Sequence, residues 1–440
     1  MGLFCMSKSK NDNEFKETEI GLIPEDWEVV RLRDVAKKIK AGGTPRKTIK
    51  EYWGGNIPFV LIQDITSSAL YLQKTNETIT EKGLKESNAW LVPPNSLLLS
   101  MYATIGETAI NIIPVATNQA ILAIIPKDNF DVVFGAFLLR FNAERLKMHN
   151  IQSTQKNVNK GVVENFKIPL PPLPEQKRIA YVLSTIQNAK EKTENVINSL
   201  KEFKKSMMKH LFTYGPVSLE EAENVKLKET EIGRIPKDWE VVQLSDEKYF
   251  EILPSGIEYF PDTKIYLSTS SIEYNKIISN EGEITYKNRL SRANMQPRMN
   301  TVWFAKMKNT IKVYSFTEKN AEEIKKYILS TGFAGILCKE NIEPQYLEQI
   351  FLSNWFNQIK DSSSHGSTQQ AINNKDIERF RIPLPPLPEQ KRIAFILSAI
   401  DSRIEAEEAK KKALDELFNS MLHNLMTGKI RVKGLTLKEV

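Results

Sequence analysis

Apolar side chains recur every seven residues in two long stretches of this chain. In the first, Ile179, Ile186, Leu200 and Met207 form one set, and Val182, Ala189, Val196 and Phe203 form a second. In the other, Ile393, Ile400, Leu414 and Met421 hold the same phase, with Leu397, Ile404, Phe418 and Leu425 beside them. A seven-residue apolar repeat predicts a helix with a coiled-coil seam, here about five heptads long in each stretch. Thr193 and Glu407 occupy the same seam position near the two midpoints. In an antiparallel pair these polar residues would fall near each other and fix the register. Each stretch follows the run IPLPPLPEQ, in which every proline fixes φ and bars its predecessor from helix. The run is therefore extended, and the helices are expected to begin at Glu175 and Glu389, where a carboxylate suits the positive helix end. From Glu175 to Leu211, about 37 residues would span roughly 55 Å.

A second pattern, Trp-x-Val in alternation after a Pro-x-Asp turn, occurs at Ile23 to Leu32 and again at Ile235 to Leu244. It predicts a turn followed by an edge strand, with Trp27 and Trp239 as packing anchors. Both patterns belong to an internal repeat. Residues 166–180 and 380–394 are identical except at Lys167 and Arg381, and Lys16 to Leu32 matches Lys228 to Leu244 nearly as well. Between these boundaries the sequences diverge. Two like frames holding two unlike inserts predict a pseudo-two-fold scaffold that carries two different recognition surfaces. Because the first helix ends shortly before Ile235, two-fold symmetry also predicts that the end of the second helix, near Leu425, lies beside Ile23. The chain would then close into a pseudo-circle.

The expected organisation is a flexible tail (residues 1–15), a first domain (16–170), a first spacer helix (171–215), a second domain (216–384), and a second spacer helix with the C-terminal tail (385–440). The fold class is α/β (α+β). Two globular domains are joined by two long antiparallel helices.

Composition narrows the function. With 41% hydrophobic and 26% charged residues in 440, the chain is ordinary globular material, and no apolar run approaches the roughly 18 residues of a membrane helix. The formal charge of +7 is compatible with a polyanionic partner. Cys5 and Cys338 offer neither a disulfide framework nor a thiolate metal site, which fits a reducing cytoplasm, and the four histidines lack metal-ligand spacing. No Asn-Pro-Pro-Tyr loop, phosphate loop or dinucleotide fingerprint is present, so no catalytic residues and no bound cofactor or metal are expected. The triplet of Asp262, Glu323 and Lys325 resembles a nuclease motif only at the level that chance supplies.

Three groups of residues suit DNA contact. Ser153, Thr154, Gln155, Lys156 and Asn157 align with Ser367, Thr368, Gln369 and Gln370, each group following a helix-like stretch, Phe137 to Lys147 and Phe351 to Lys360. Amide side chains can pair with adenine edges and lysine can meet phosphate, while helix capping is an equal alternative for the Ser-Thr pairs. In the first insert Thr44, Arg46, Lys47, Lys50, Tyr52 and Trp53 join charge to aromatic faces on a Gly-Pro-rich loop, with packing the favoured role for Trp53. The second insert has Arg289, Arg292, Arg298, Lys306, Lys308 and Lys312, its densest basic stretch. Lys306 to Thr310 reads either as an exposed loop or as part of a half-buried strand. The repeated turns, Leu170, Pro171, Pro172, Glu175 and Gln176 with Leu384, Pro385, Pro386, Glu389 and Gln390, are candidates for docking one partner twice. Internal packing would also explain their repetition.

The doubled I-P-L-P-P-L-P-E-Q-K-R-I-A followed by a long helix resembles the specificity subunit of type I restriction-modification systems, over nearly the whole chain. Gly42-Gly43-Thr44-Pro45, Tyr52 to Pro58, Ile105-Gly106 and Asn118-Gln119 in the first insert resemble that family's variable domains, whereas the second insert lacks these pieces. The resemblance implies a non-catalytic subunit that reads a bipartite, asymmetric site in double-stranded DNA. It also implies two methyltransferase subunits carrying S-adenosylmethionine, and restriction subunits carrying ATP and Mg²⁺. The rival readings are a type II system with a fused methyltransferase-nuclease and a protein-binding scaffold.

Overall fold

The computed structural model describes residues 14–148, 158–366 and 370–435. They form two compact units. Unit 1 joins the chain up to Asn195 to the segment from Glu408 onward, and unit 2 is Val196–Glu407. Each long helix therefore contributes one segment to each unit.

Unit 1 opens with the hairpin β1 (Phe15–Thr18) and β2 (Gly21–Pro24), then β3 (Glu28–Arg31) and β4 (Ala36–Ala41). Next come β5 (Trp53–Val60), α1 (Ile62–Ser67), β6 (Tyr71–Leu72), β7 (Glu77–Ile79) and α2 (Glu81–Lys85). The domain continues with β8 (Ser96–Ser100), β9 (Thr108–Asn111), β10 (Ala116–Thr117), β11 (Ile121–Pro126), α3 (Val132–Phe141) and α4 (Ala143–Met148). After α5 (Lys160–Asn165) and β12 (Lys167–Leu170) the chain enters α6 (Leu173–Tyr214). The main sheet has the order β4-β11-β8-β9-β6, and a smaller sheet has the order β10-β5-β7, with β10 and β5 parallel. Helix α3 is apolar almost all round because it is covered on both sides. Its Phe134, Phe137 and Leu138 are fully buried, and Phe137 meets Phe418 of the closing helix edge to face at 5.8 Å.

Unit 2 repeats the arrangement of the principal strands with a different sequence and different connecting elements. After β13 (Leu227–Thr230), β14 (Gly233–Pro236) and β15 (Glu240–Gln243) come β16 (Phe250–Ile252), β17 (Lys264–Leu267), β18 (Ile272–Glu273), β19 (Lys276–Ile277), β20 (Glu283–Ile284) and β21 (Ala293–Met295). Then follow β22 (Thr301–Ala305), β23 (Val313–Phe316), α7 (Ala321–Lys326), β24 (Tyr327–Ser330) and β25 (Phe333–Cys338). The unit ends with α8 (Pro344–Leu352), α9 (Asn354–Ser362), α10 (Asn374–Glu378), β26 (Arg381–Leu384) and α11 (Leu387–Met426). Its sheet β16-β25-β22-β23 is antiparallel throughout, as is β4-β11-β8-β9, and its parallel pair β17 and β24 matches β5 and β10. The second insert lacks the first insert's motifs and keeps its topology, since a sheet's burial pattern accepts many apolar sequences. The helix-like stretches before the two candidate loops are each two helices, broken at Asn142 and Ser353, the latter capping α9 by accepting from the Phe356 amide at 3.2 Å.

The two repeated signatures are the two strands of one ribbon. Strand β3 pairs antiparallel with β12, Val30 opposite Ile168, and β15 pairs with β26, Val242 opposite Ile382. The tryptophan at the head of each ribbon is fully buried, as expected of an anchor, and its indole donates to the first glutamate of the helix. Trp27 reaches Glu175 at 3.2 Å and Trp239 reaches Glu389 at 3.0 Å.

The long helices are present and begin two residues earlier than expected, at Leu173 and Leu387, because a proline in the first helical turn lacks only an N–H that would have had no partner. At 42 and 40 residues they also exceed the expected length. In unit 1, Lys190 pairs with Asp415 at 2.7 Å and Glu194 with Lys411. Four residues forward in one helix answer to four back in the other, so the segments run antiparallel. In the first helix, however, the second seam set is one residue later than the apolar pattern predicted. Leu183, Ile197, Lys204 and Leu211 are buried, whereas Val196 and Phe203 are 41% and 50% exposed. The apolar pattern misled because lysines hold seam positions. Lys190 lies over the Phe418 ring at 4.6 Å, and in unit 2 Lys204 is held by Asp401 at 2.6 Å and Tyr274 at 3.1 Å. In the second helix the predicted set holds, with Leu397, Ile404, Phe418 and Leu425 buried. Thr193 and Glu407 are both buried.

Candidate nucleic-acid interface

Each domain brings three segments together at the same end of its main sheet. In unit 1 these are the β8–β9 hairpin, the turn after β10 and Val158 just ahead of α5. The Met101 amide donates to Ala120 at 2.9 Å and the Val158 amide to Met101 at 3.2 Å. In unit 2 the Lys306 amide donates to Gly332 at 2.9 Å and the Ile372 amide to Lys306 at 3.1 Å. Most of the aligned Ser-Thr-Gln candidates, residues 153–157 and 367–369, lie outside the described residues. Gln370 is exposed, and its carbonyl accepts from the Lys308 amide at 2.9 Å.

The Gly-Gly-Thr-Pro piece and the Asn-Gln piece of the first insert meet here. The amides of Gly42 and Gly43 donate to Ile121 and Thr117, and a Cβ at Gly42 would lie 1.9 Å from the Thr117 carbonyl, so only glycine permits this approach. The Thr44 hydroxyl then donates to Gln119 Oε1 at 2.6 Å, and Gln119 itself is exposed. Of the loop that follows, Arg46, Lys47 and Lys50 are exposed. Tyr52 corrects the expectation of DNA contact. Its ring is buried and its hydroxyl donates to Glu86 at 2.5 Å, which pushes the phenol's pKa up. Trp53 is a packing residue, edge to face with Phe59 at 5.3 Å, its indole donating to the Arg46 carbonyl. Sequence reasoning missed Lys38 and Lys40, whose ammoniums lie 4.5 and 5.3 Å from the Trp90 ring on edge strand β4.

The basic stretch of the second insert is not one patch. Arg298 precedes β22 and pairs with Glu251 at 3.7 Å, while Lys306 and Lys308 follow that strand and stand at its opposite end. Arg292 belongs with the lysines, since its carbonyl accepts from Thr331, next to Gly332. Arg289 stacks on Tyr286 at 4.5 Å, and the Lys312 ammonium donates to the Thr269 carbonyl at 2.6 Å. Residues 306–312 form a loop between strands, and burial pushes the Lys306 ammonium's pKa down. Beneath the loop, the buried Lys360 ammonium donates to the carbonyls of Ala305, Met307 and Thr310. Glu323 of the nuclease-like triplet accepts from the Tyr314 hydroxyl at 2.6 Å.

The repeated turns also need correction as docking surfaces. Gln176 is fully buried, its amide donating to Pro171 and Asn129 while its oxygen accepts from the Asp131 amide. Gln390 does the same with Pro385, Asn341 and Glu343. Pro171, Glu175, Leu384 and Pro385 are buried as well, Leu170 and Glu389 are half-buried, and only Pro172 and Pro386 of the ten are exposed. Their recurrence follows from building the same joint twice. Among the described residues there is no cluster of three or more His, Cys, Asp or Glu fit to hold a metal, and no helix long and apolar enough to cross a membrane.

Twin mixed domains on twin helices define a class, and comparison with known proteins identifies it. Residues 24–202 and 236–416 each match the model of the type I restriction modification DNA specificity domain. The chain belongs to that family and carries its domain twice. A putative type I restriction enzyme MjaX specificity subunit of Methanocaldococcus jannaschii is 32% identical over 96% of this chain and 98% of the relative. The MjaVIII specificity subunit of the same organism is 28% identical over 98% and 99%. The solved S subunit from M. genitalium covers 96% of this chain and 98% of its own at 13% identity with a TM-score of 0.58, a likeness of fold.

Proposed function

We propose that this chain is the non-catalytic DNA-reading subunit of a type I restriction-modification complex, each unit reading one half of a bipartite, asymmetric duplex target. The observation that carries this reading is the pairing of one topology with two unlike loop sets on a nearly identical frame. A common frame holds both readers in equivalent settings, and unlike loops serve unlike targets. In unit 2 exposed cations gather at the loop end of the sheet, as phosphate contact requires. In unit 1 the loop end offers amide and hydroxyl groups suited to base edges. The partners would be two methyltransferase subunits holding S-adenosylmethionine, joined by restriction subunits that use ATP and Mg²⁺, in the cytoplasm.

The test is reconstitution with the methyltransferase chain and sequencing of the methylated duplex products. A two-part, asymmetric target supports the reading. Binding without sequence preference, or methyl transfer by the rigorously purified chain alone, contradicts it.

A further inference from the structure

We propose that the tips of two equivalent hairpins are the base-reading elements, residues 101–106 with Tyr102 projecting in unit 1 and residues 306–311 with Lys308 and Asn309 projecting in unit 2. This rests on the DNA-reading function above and assigns it to specific side chains. The two hairpins occupy the same place in domains with almost no common sequence, between β8 and β9 and between β22 and β23. Both tips turn through a non-glycine residue in the left-handed region, Ala103 at φ 50° and Asn309 at φ 57°. Asparagine tolerates that conformation. Alanine does not, and backbone strain kept by the surrounding structure gathers at functional sites.

The bases of both hairpins are held firmly while the tips are left to solvent. In unit 1 the Ser100 hydroxyl donates to the Tyr102 carbonyl at 2.9 Å, the Thr104 amide donates to the same carbonyl at 2.5 Å, and Gly106 packs so closely on Ala143 that a Cβ there would stand 2.3 Å from it. In unit 2 Lys360 gathers three carbonyls under the loop, and the Asn309 amide donates to Asp361 at 3.1 Å. Above these bases Tyr102 is 36% exposed, and Lys308 and Asn309 are exposed. A rigid base with a projecting tip is what reading requires, because a loose side chain cannot tell one base edge from another. A two-stranded ribbon fits the major groove. There the Tyr102 ring would meet a thymine methyl, Asn309 an adenine edge and Lys308 a guanine edge. Gln119, oriented by Thr44, and Arg292 flank the respective hairpins.

The experiment uses the complete methyltransferase complex and a duplex library randomised across the target, with methylated molecules sequenced. Tyr102→Ala is expected to reduce discrimination about tenfold or more at one or two positions of one half-site while the other half keeps its preferences. Asn309→Gly, which retains the left-handed backbone, is expected to do the same in the other half and tests the assignment independently should Tyr102→Ala fold poorly. Unchanged preferences in both variants, or a uniform loss of methylation across all sequences, would overturn the assignment while leaving the wild type's two-part preference intact. A wild-type complex without two-part preference would overturn the assignment and the reading beneath it together.

Discussion

Arg431 donates two hydrogen bonds of 2.7 Å to Glu175, from Nε to Oε1 and from Nη2 to Oε2, across a sequence separation of 256 residues. The C-terminal segment thus locks the start of the first long helix. Around the pair, Ile23 and Leu425 belong to one core, and Gly428 packs on Pro24 so closely that a Cβ would lie 2.3 Å from its ring. The predicted neighbourhood of Ile23 and Leu425 is present in unit 1, and Gly215, which ends the first helix in unit 2 beside Trp239 and Glu389, is its counterpart.

Removing Arg431 should therefore act as a core mutation. Glu175 and Arg431 are 3% and 8% exposed at their side chains, and Arg431→Ala leaves a buried carboxylate with the Trp27 indole as its one remaining side-chain donor among the described residues. Breaking such a pair costs about 3 kcal/mol, which urea unfolding would read as a lower midpoint. Arg431→Lys, a single donor in place of a fork, should recover only part of that loss.

The same clamp predicts an acid limb. The hydrogen bond from Arg431 outweighs partial burial and, with Lys433, holds the Asp26 carboxyl at about 2, below its ordinary 3.8. A carboxyl held low in the folded state contributes stability that is complete above about pH 4 and lost as pH falls toward 2. Because Asp26 is 38% exposed, the contribution is about 1 kcal/mol after screening. Wild type and Asp26→Asn should differ in stability at pH 6 and converge by pH 2.

Glu348 predicts the opposite slope in unit 2. Burial raises its carboxyl pKa, against the opposing hydrogen bonds from Ser315 at 2.6 Å and Asn275 at 3.4 Å. A raised carboxyl stabilises below its unfolded pKa and loses that contribution as pH climbs through the folded value. Glu348→Gln, which stays neutral, should raise the melting temperature relative to wild type more at pH 8 than at pH 4.

The packing of Ile23 and Pro24 against Leu425 and Gly428 predicts tolerance of circular permutation. Joining the C-terminus to the start and opening the exposed turn between Ser218 and Glu223 breaks no strand or long helix. The permuted chain should match wild type in circular dichroism and unfold with a similar midpoint. Loss of cooperative unfolding would count against the closed arrangement.

The frame was legible because packing had been written into it twice. Trp27 and Trp239, the extended IPLP runs and the apolar seam all follow from local pattern. The seam error in the first helix arose where Lys190 and Lys204 use long apolar stems and charged ends to fill core positions, which no apolar count registers. The site was less legible because charge clusters in sequence do not predict clusters in space. A strand of five residues sends Arg298 and Lys306 to opposite ends, and Tyr52 turned inward to meet Glu86. Tyr102 carried no signal in the sequence and Gln119 only a family resemblance, and topology brought both to the same end as Thr44 and Val158.

The central claim is that two independent readers share one frame, and a domain exchange tests it most directly. Residues 245–379 would be replaced by the corresponding insert of another family member, the chimera assembled with its methyltransferase partner, and the methylated sequence mapped. The account predicts a new second half-site, an unchanged first half and an unchanged gap between them. A change in both halves, or in neither, would contradict it.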